Sequence, residues 1–455
     1  MKEIVGKKVL IIGFGREGQA TLRFLKRHNP NISISIADKA KIDVEDAKID
    51  VFTGEHYLDA IGNFETVIRT PSLPAHSSVL EKYAQQGGHV TTQTNLFFAH
   101  CKGSVIGITG TKGKSTTTSI IYEILKNVHA DVRLVGNIGV ASLDQLEGAT
   151  PETYFVMELS SHQLEDCRYS PHVAVVLPMY PEHLDYYQNF DQYVQAKLQI
   201  VTHQTSQDIV VYNQDYVSLA PFSHTKAKKH PYSFQKTTAD VWVRENDVWL
   251  GNKTPQKLFS FDDIALKGPG NRENIAAATT ALLLVGVTHD EILLGLQQFK
   301  TLPHRLEPLG TFAGIDFYND SLATIPQATI HALETLGSRV ETLIAGGYNR
   351  GLQFDILGAY IAHKTEIETL ILFPETGERI WKAVVTANPK TTIKKYIVNT
   401  MEDAVKKAFL TTHKGKTCLL SPASASFNLF KDYADRGEQF KLYVKKTASW
   451  YENAV

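Results

Sequence analysis

Residues 104–118 read SVIGITGTKGKSTTT. Ser104–Thr109 is a short apolar run of the kind that forms a buried strand, and a helical pattern follows through about Lys126. Between them lies Gly110-Thr111-Lys112-Gly113-Lys114-Ser115-Thr116. Glycines let backbone N–H groups close around phosphate oxygens, and the N-terminus of the next helix adds a favourable dipole. Lys114 is placed to neutralise the β- and γ-phosphates of a nucleotide, and the hydroxyl of Ser115 or Thr116 to reach Mg²⁺. The common phosphate loop has another glycine six residues before that lysine. Here Ile108 stands there, bracketed by Gly107 and Gly110. A bare Gly/Ser/Thr turn with a stray lysine is the plainer alternative. The strand before it and the helix after it weigh against that.

Outward from the loop, short β-branched runs alternate with helical patterns, the rhythm of a parallel sheet covered on both faces. Towards the N-terminus, Lys8–Ile12, Ile32–Ala37 and Thr66–Thr70 read as strands and Gln19–Arg27 as a helix. Past the loop, Thr153–Met157, Val173–Leu177 and Asp208–Tyr212 read as strands, and Asp240–Leu250 as a hairpin. Ile315–Tyr318, Thr342–Ala345, Thr369–Phe373 and Thr417–Leu420 continue the series. The pattern restarts near Asn95 and again near Thr301. Three α/β domains are therefore expected, over residues 1–96, 97–301 and 302–455. A second glycine turn, Gly13-Phe14-Gly15-Arg16-Glu17-Gly18, follows the first strand, and Asp38 ends the next. That is the dinucleotide pattern, but the physics asks only for a phosphate at a helix N-terminus, so UDP suits it as well as NAD. Glu158, at the end of a buried strand, and His183, after another, are candidate Mg²⁺ ligands. Lys197 lies one helix further on.

Bulk composition narrows the partners. The 455 residues include 47 basic and 48 acidic side chains, so no global field recruits nucleic acid or an anionic membrane. Cys101, Cys167 and Cys418 are far apart and form no CxxC pair, which fits reduced thiols in a cytoplasmic protein. The opening MKEIVGKKVLIIGFG runs straight into a glycine turn and reads as neither a signal peptide nor a membrane span.

Taken together, these residues resemble the Mur ligases over nearly the whole chain. The distinctive stretch is Leu420-Ser421-Pro422-Ala423-Ser424-Ala425-Ser426-Phe427, continued by Phe430-Lys431-Asp432-Tyr433 and Arg436-Gly437. It is similar to the branch of the family that adds glutamate. Gly136-Asn137-Ile138, Glu158 with Gln163, Asn271 with Asn274, His304-Arg305, Asn319-Asp320-Ser321 and Gly346-Gly347 complete the likeness. The short GTxGKST loop is this family's own version of the phosphate loop.

The resemblance implies a Rossmann-like N-terminal domain that binds a UDP-linked substrate, a P-loop ATPase-type central domain and a Rossmann-like C-terminal domain that brings glutamate. It implies an ATP-dependent ligase that adds D-glutamate to UDP-N-acetylmuramoyl-L-alanine through an acyl phosphate. Gly13, Phe14, Gly15, Arg16, Asp38 and Ser72 would bind the UDP substrate. Asn137 would contact the muramoyl part or the ATP phosphates. Gly110 to Thr116, Asn271, Arg305 and Asp320 would bind ATP. Ser115 or Thr116 with Glu158 would hold one Mg²⁺, and His183 with a carbamylated Lys197 the second. Lys114, Glu158, His183 and Lys197 would form the catalytic set. Thr324, Arg350, Ser426 and Tyr433 would bind glutamate. A cytoplasmic monomer is expected.

Some positions depart from the family pattern. Pro178 and Tyr180 stand where asparagine and threonine are usual, and Leu322 where a lysine is. Leu322, Ile325-Pro326 and Gly15-Arg16-Glu17-Gly18 also resemble a subgroup that attaches L-glutamate, which stays open as the alternative. An NAD-dependent oxidoreductase would leave the phosphate loop unexplained. A non-catalytic family member with a zinc ribbon would need four clustered cysteines. A folylpolyglutamate synthase-like ligase would lack the Gly13–Gly18 domain and the Ser421–Phe427 stretch.

Overall fold

The computed structural model describes residues 2–44, 46–71, 73–138, 140–181, 186–216, 222, 225–251, 253–264, 266–299 and 303–453. The chain divides into two compact units, residues 1–265 with 271–299, and residues 266–270 with 300–455. Ser72, His183 and the expected break near Thr301 lie outside the described residues.

Three sheets are found among the described residues. The first unit opens with β1 (Lys8–Ile12), α1 (Arg16–His28), β2 (Ser33–Asp38), β3 (Asp50–Thr53), β4 (Thr66–Arg69), α2 (Ser78–Gln85), β5 (His89–Thr92) and α3 (Gln93–His100). Its five strands run parallel in the order β3-β2-β1-β4-β5. Val9, Leu10, Ile11 and Ile12 are at most 2% exposed, as a central strand covered on both faces requires. Burying such side chains is worth roughly 1.5–3 kcal/mol each.

The same unit continues with β6 (Ser104–Thr109), α4 (Lys114–Val128), β7 (Val132–Gly136), β8 (Tyr154–Glu158), α5 (Ser161–Leu164), β9 (Val173–Val176), α6 (Phe190–Thr202) and β10 (Ile209–Asn213). Then come β11 (Lys228–Ser233), β12 (Val241–Arg244), β13 (Asp247–Leu250), β14 (Gln256–Ser260), α7 (Pro269–Leu284) and α8 (His289–Gln298). The nine strands are ordered β14-β13-β12-β11-β10-β9-β6-β8-β7. They are parallel from β7 to β12, and antiparallel through the hairpin β12–β13 and on to β14. Residue 95, where the sequence pattern restarts, lies inside α3. Asn95 is fully buried and is bonded to Asp166 O at 3.2 Å and Arg168 N at 2.8 Å. One apolar core runs from Val9 and Ile36 through Phe97 to Phe155 and Val176.

The second unit holds β15 (Glu307–Phe312), β16 (Ile315–Asn319), α9 (Pro326–Leu336), β17 (Val340–Gly346), α10 (Asp355–Ala362), β18 (Thr369–Phe373), α11 (Gly377–Ala387), β19 (Lys394–Ile397), α12 (Met401–Thr411), β20 (Thr417–Leu420) and α13 (Tyr433–Asn453). Its order is β15-β16-β20-β17-β18-β19, parallel except for β15. Cys418 sits in its central strand, Cys167 is buried in the first unit and Cys101 is half-buried; all three are free thiols. No described helix is long and apolar enough to cross a membrane.

Sequence reading finds the central strands and misses β3, β5, β7, β11, β14, β15 and β19. All but β11 are sheet edges. An edge strand has one neighbour and a wetted side, so nothing forces an apolar run onto it. β11 reads KKHPYS, which composition alone would not mark as a strand.

Candidate active site

In an open α/β sheet, ligands sit beyond the carboxyl ends of strands where the order reverses direction. The first sheet reverses about β1, the second about β6 and the third about β20. Several residues singled out by sequence, among them Gly13, Gly110, Glu158 and Asp320, lie at the carboxyl ends of these strands or their neighbours.

Beyond β6, Gly110 has φ +149° and Gly113 φ +84°. Neither takes a side chain: a Cβ on Gly113 would overlap Asn274 Oδ1, and one on Gly110 would crowd Leu177 Cβ at 2.6 Å. Thr111 is fixed at one end of the loop, with its N–H donating to Pro178 O at 3.1 Å. Its hydroxyl lies 2.9 Å from Tyr193 OH and accepts from Tyr180 N at 2.9 Å. Pro178 and Tyr180, departures from the family pattern, therefore serve the loop through main-chain groups that any residue could supply. Lys114 begins α4 and donates its ammonium to the loop carbonyls of Gly110 and Thr111 at 3.0 and 2.8 Å. Lys112 and Ser115 are half-buried and Thr116 buried. Asn274 donates to Asn271 Oδ1 at 3.2 Å and accepts from the Thr117 hydroxyl at 3.3 Å, bringing α7 against the loop.

Glu158 ends β8, the strand beside β6, and is 1% exposed. Its Oε1 accepts from Asn137 Nδ2 at 2.8 Å, while Oε2 is buried with no hydrogen-bond partner among the described residues. A buried carboxylate oxygen without a donor is costly. A hard divalent cation would satisfy it, with the Ser115 or Thr116 hydroxyl as a further oxygen ligand, so these residues fit Mg²⁺. Lys197 is 2% exposed on α6, its ammonium 4.8 Å from the centroid of the Tyr193 ring one turn earlier.

At the first sheet, Gly13 has φ +87° and its N–H donates to Ala37 O at 2.7 Å. Asp38 accepts from Phe14 N at 2.7 Å and from Ala40 N at 2.8 Å. One carboxylate oxygen thus braces the glycine turn itself, a structural task beyond the substrate-binding role expected of Asp38. Gly15 caps α1, and Arg16 reaches the second sheet to donate to Gly136 O at 3.0 Å and Asn137 O at 3.3 Å.

In the second unit, Asp320 follows β16 and is buried. It accepts from Ser421 Oγ at 2.7 Å and from Leu306 N at 3.1 Å. Burial pushes its carboxyl up to about 7, against the pull of those hydrogen bonds and of the Arg305 and Arg436 charges. Arg436, also buried, ties the Asp320 loop to the Ser424 loop. It donates to Ser321 Oγ at 3.0 Å, Ser321 O at 2.9 Å and Ser424 O at 3.1 Å. Desolvation lowers its own proton affinity to about 9. Thr376 bonds the Ser424 hydroxyl at 2.7 Å and Gly347 on its other side. Ser426 is buried, Thr324 half-buried and Tyr433 exposed. Arg350 is exposed, its guanidinium carbon 5.0 Å from the Phe427 ring.

Sequence reasoning overlooks Tyr193 and Arg69. Tyr193 precedes Lys197 by one helical turn, a spacing that puts both on one face. Arg69 ends a strand that is otherwise buried, and a cation there is itself a signal. It is enclosed by Asp166, at 2.7 and 2.8 Å, and Glu165, at 3.0 Å.

Residues 108–282 match the Mur ligase middle domain. A UDP-N-acetylmuramoylalanine–D-glutamate ligase of Caldanaerobacter subterraneus is 33% identical, covering 97% of this chain and 99% of that protein. The same-named ligase of Symbiobacterium thermophilum is 32% identical over 96% of this chain and 98% of its own length. Among solved structures, the MurF ligase of Thermotoga maritima in complex with ADP superposes with a TM-score of 0.57 at 19% identity, covering 97% of this chain and 95% of that one. The chain belongs to the Mur ligase family.

Proposed function

We infer that this protein is the ATP-dependent ligase that joins D-glutamate to UDP-N-acetylmuramoyl-L-alanine in peptidoglycan precursor synthesis. The observation that carries this reading is the Gly110–Thr116 loop beyond β6, with a buried Glu158 that has one unpartnered oxygen ending the neighbouring β8, in a chain related over nearly its whole length to ligases named for that reaction. We propose three domains, 1–96, 97–301 and 302–455, the first boundary falling within α3 and the first two domains sharing one compact unit.

In the reaction, the substrate carboxylate attacks the γ-phosphorus of ATP, giving an acyl phosphate and ADP. The glutamate amine then attacks the acyl carbon, loses a proton, and inorganic phosphate leaves. Phosphoryl transfer asks the protein chiefly for positioning and charge neutralisation. The loop N–H groups and Lys114 would hold the phosphates, with Arg305 as a further cation. Asn271 and Asp320 would bind the rest of the nucleotide. Gly13–Arg16, Asp38 and Ser72 would hold the uridine diphosphate. Glu158 with Ser115 or Thr116 would hold one Mg²⁺, and His183 with a carbamylated Lys197 another. When bound, such ions neutralise charge on the transferring phosphoryl group. Carbamylation suits Lys197 chemically, because it turns a buried cation into an oxygen ligand. Arg350, Ser426, Tyr433 and Thr324 would receive glutamate, with the planar guanidinium suited to a carboxylate. A cytoplasmic location fits soluble nucleotide substrates.

The test is incubation with UDP-N-acetylmuramoyl-L-alanine, ATP, Mg²⁺ and an equal mixture of D- and L-glutamate, followed by phosphate release, product mass and chiral analysis. A product carrying chiefly D-glutamate is expected. Chiefly L-glutamate would overturn the choice of enantiomer, which Leu322 and Ile325-Pro326 keep as the second reading. No phosphate release with either would overturn the ligase assignment.

A further inference from the structure

Glu17 is absent from the site derived so far, yet this member of the Gly13–Gly18 turn reaches across to the segment that follows Glu158. Its carboxylate accepts from Gln163 Nε2 at 2.8 Å. The orientation of that amide is fixed from the other side, because Gln163 Oε1 accepts from Ser160 N at 3.0 Å and Ser160 Oγ at 3.1 Å. Gln163 N–H in turn donates to Ser160 Oγ, completing a capping box at the start of α5. Ser160 is two residues past Glu158. Between them Leu159 is stapled to β6, its N–H donating to Ile108 O at 2.9 Å and its carbonyl accepting from Thr109 Oγ1 at 2.9 Å. The turn that aims Glu158 therefore hangs from three points: the phosphate-loop strand, its own capping box and Glu17. Glu17 is anchored in turn by its main chain, whose carbonyl accepts from Gln93 Nε2 at 3.1 Å.

We propose that Glu17 and Gln163 are positioning residues that lock the Glu158–Ser160 turn to the Gly13–Gly18 turn and so hold Glu158 in place to bind Mg²⁺ with the nucleotide. Gln163 is buried and Glu17 half-buried, so the bond between them is stronger than in open water and costly to leave unmade. Burial raises the Glu17 carboxyl pKa, while the Gln163 amide, Arg16 and Arg69 pull it back. The lock needs one acceptor and one donor facing each other, and it does not matter which residue supplies which. That symmetry gives the test.

The proposal rests on the ATP-ligase reading, so its test avoids turnover: ADP affinity is measured by calorimetry with Mg²⁺ and with a chelator. Glu17→Leu and Gln163→Leu should each weaken Mg²⁺-dependent ADP binding by at least about five-fold, the equivalent of one lost buried hydrogen bond. ADP binding in chelator should not change. Glu17→Gln keeps an acceptor and should behave as wild type. Gln163→Glu sets two carboxylates face to face and should bind worst. The double variant Glu17→Gln/Gln163→Glu reverses the polarity of the bond and should recover most of the wild-type affinity. That recovery also shows that the single variants are not merely misfolded. A flat series, or a swap no better than Gln163→Glu alone, would overturn the lock while leaving the ligase reading intact. Wild-type protein with no Mg²⁺-dependent ADP binding would overturn both.

Discussion

At Gly113 the chain turns through a left-handed conformation directly beneath Asn274, and this one residue sets the shape of the phosphate loop. Gly113→Ala adds backbone strain and a steric overlap together, so phosphate release should fall steeply while circular dichroism stays native. Lys114→Ala removes the cation at the start of α4 and should abolish release without unfolding the protein; turnover near wild type would take Lys114 out of the mechanism. Asp320 makes a pH prediction. Its proton is held up to about 7 in the folded state and released near 3.8 in the unfolded chain. Between those values the folded state binds more protons, so this residue's contribution to stability is present at low pH and is lost as pH rises towards 7. The slope is up to about 1.4 kcal/mol per pH unit. Urea titrations at pH 5 and pH 7 should show wild type losing more stability between the two than Asp320→Asn does.

Helix α6 shows what spacing can and cannot reveal. Tyr193 and Lys197 lie one turn apart, and the structure stacks the ammonium over the ring while the phenol reaches Thr111. If Lys197 works as a carbamate, Lys197→Ala should be nearly inactive, and acetate should restore part of the rate by filling the vacated oxygen position. Full activity without acetate would take Lys197 out of the site. The sequence made this helix readable because burial imposes a period on it. It made the central strands readable for the same reason, since a strand covered on both faces must be apolar throughout. The wetted edges carry no such constraint and stay silent. Glycine turns and strand-end acids were legible because a turn suited to phosphate restricts residue type at fixed spacing. The partners of those residues were not: Gln163 for Glu17, or Thr376 for Ser424, meet across 146 and 48 positions of chain.

On the scale of the molecule, two sheets share the first compact unit, and Arg69 is the clearest reason. Its guanidinium is fully enclosed on β4 and pairs with Asp166 and Glu165 beyond α5. Removing one side of a buried ion pair typically costs about 3–5 kcal/mol, because the other side is left uncompensated. Arg69→Leu should lower the melting temperature of this unit and split a single calorimetric transition in two. A single unshifted transition would show that the shared apolar core suffices. The three thiols, two buried and Cys101 half-buried, lead elsewhere. Burial pushes Cys101 up to about 11, Cys167 to about 12 and Cys418 well above the ordinary range. Thiolate is the reactive form, so at neutral pH maleimide reagents should leave the native protein almost untouched. A cysteine introduced at an exposed site would then be dyed alone. Leu294→Cys in the first unit and Leu410→Cys in the second, at positions 54% and 69% exposed, would turn the chain into its own ruler. Fluorescence transfer between the two dyes would then follow the separation of the units as each substrate is added.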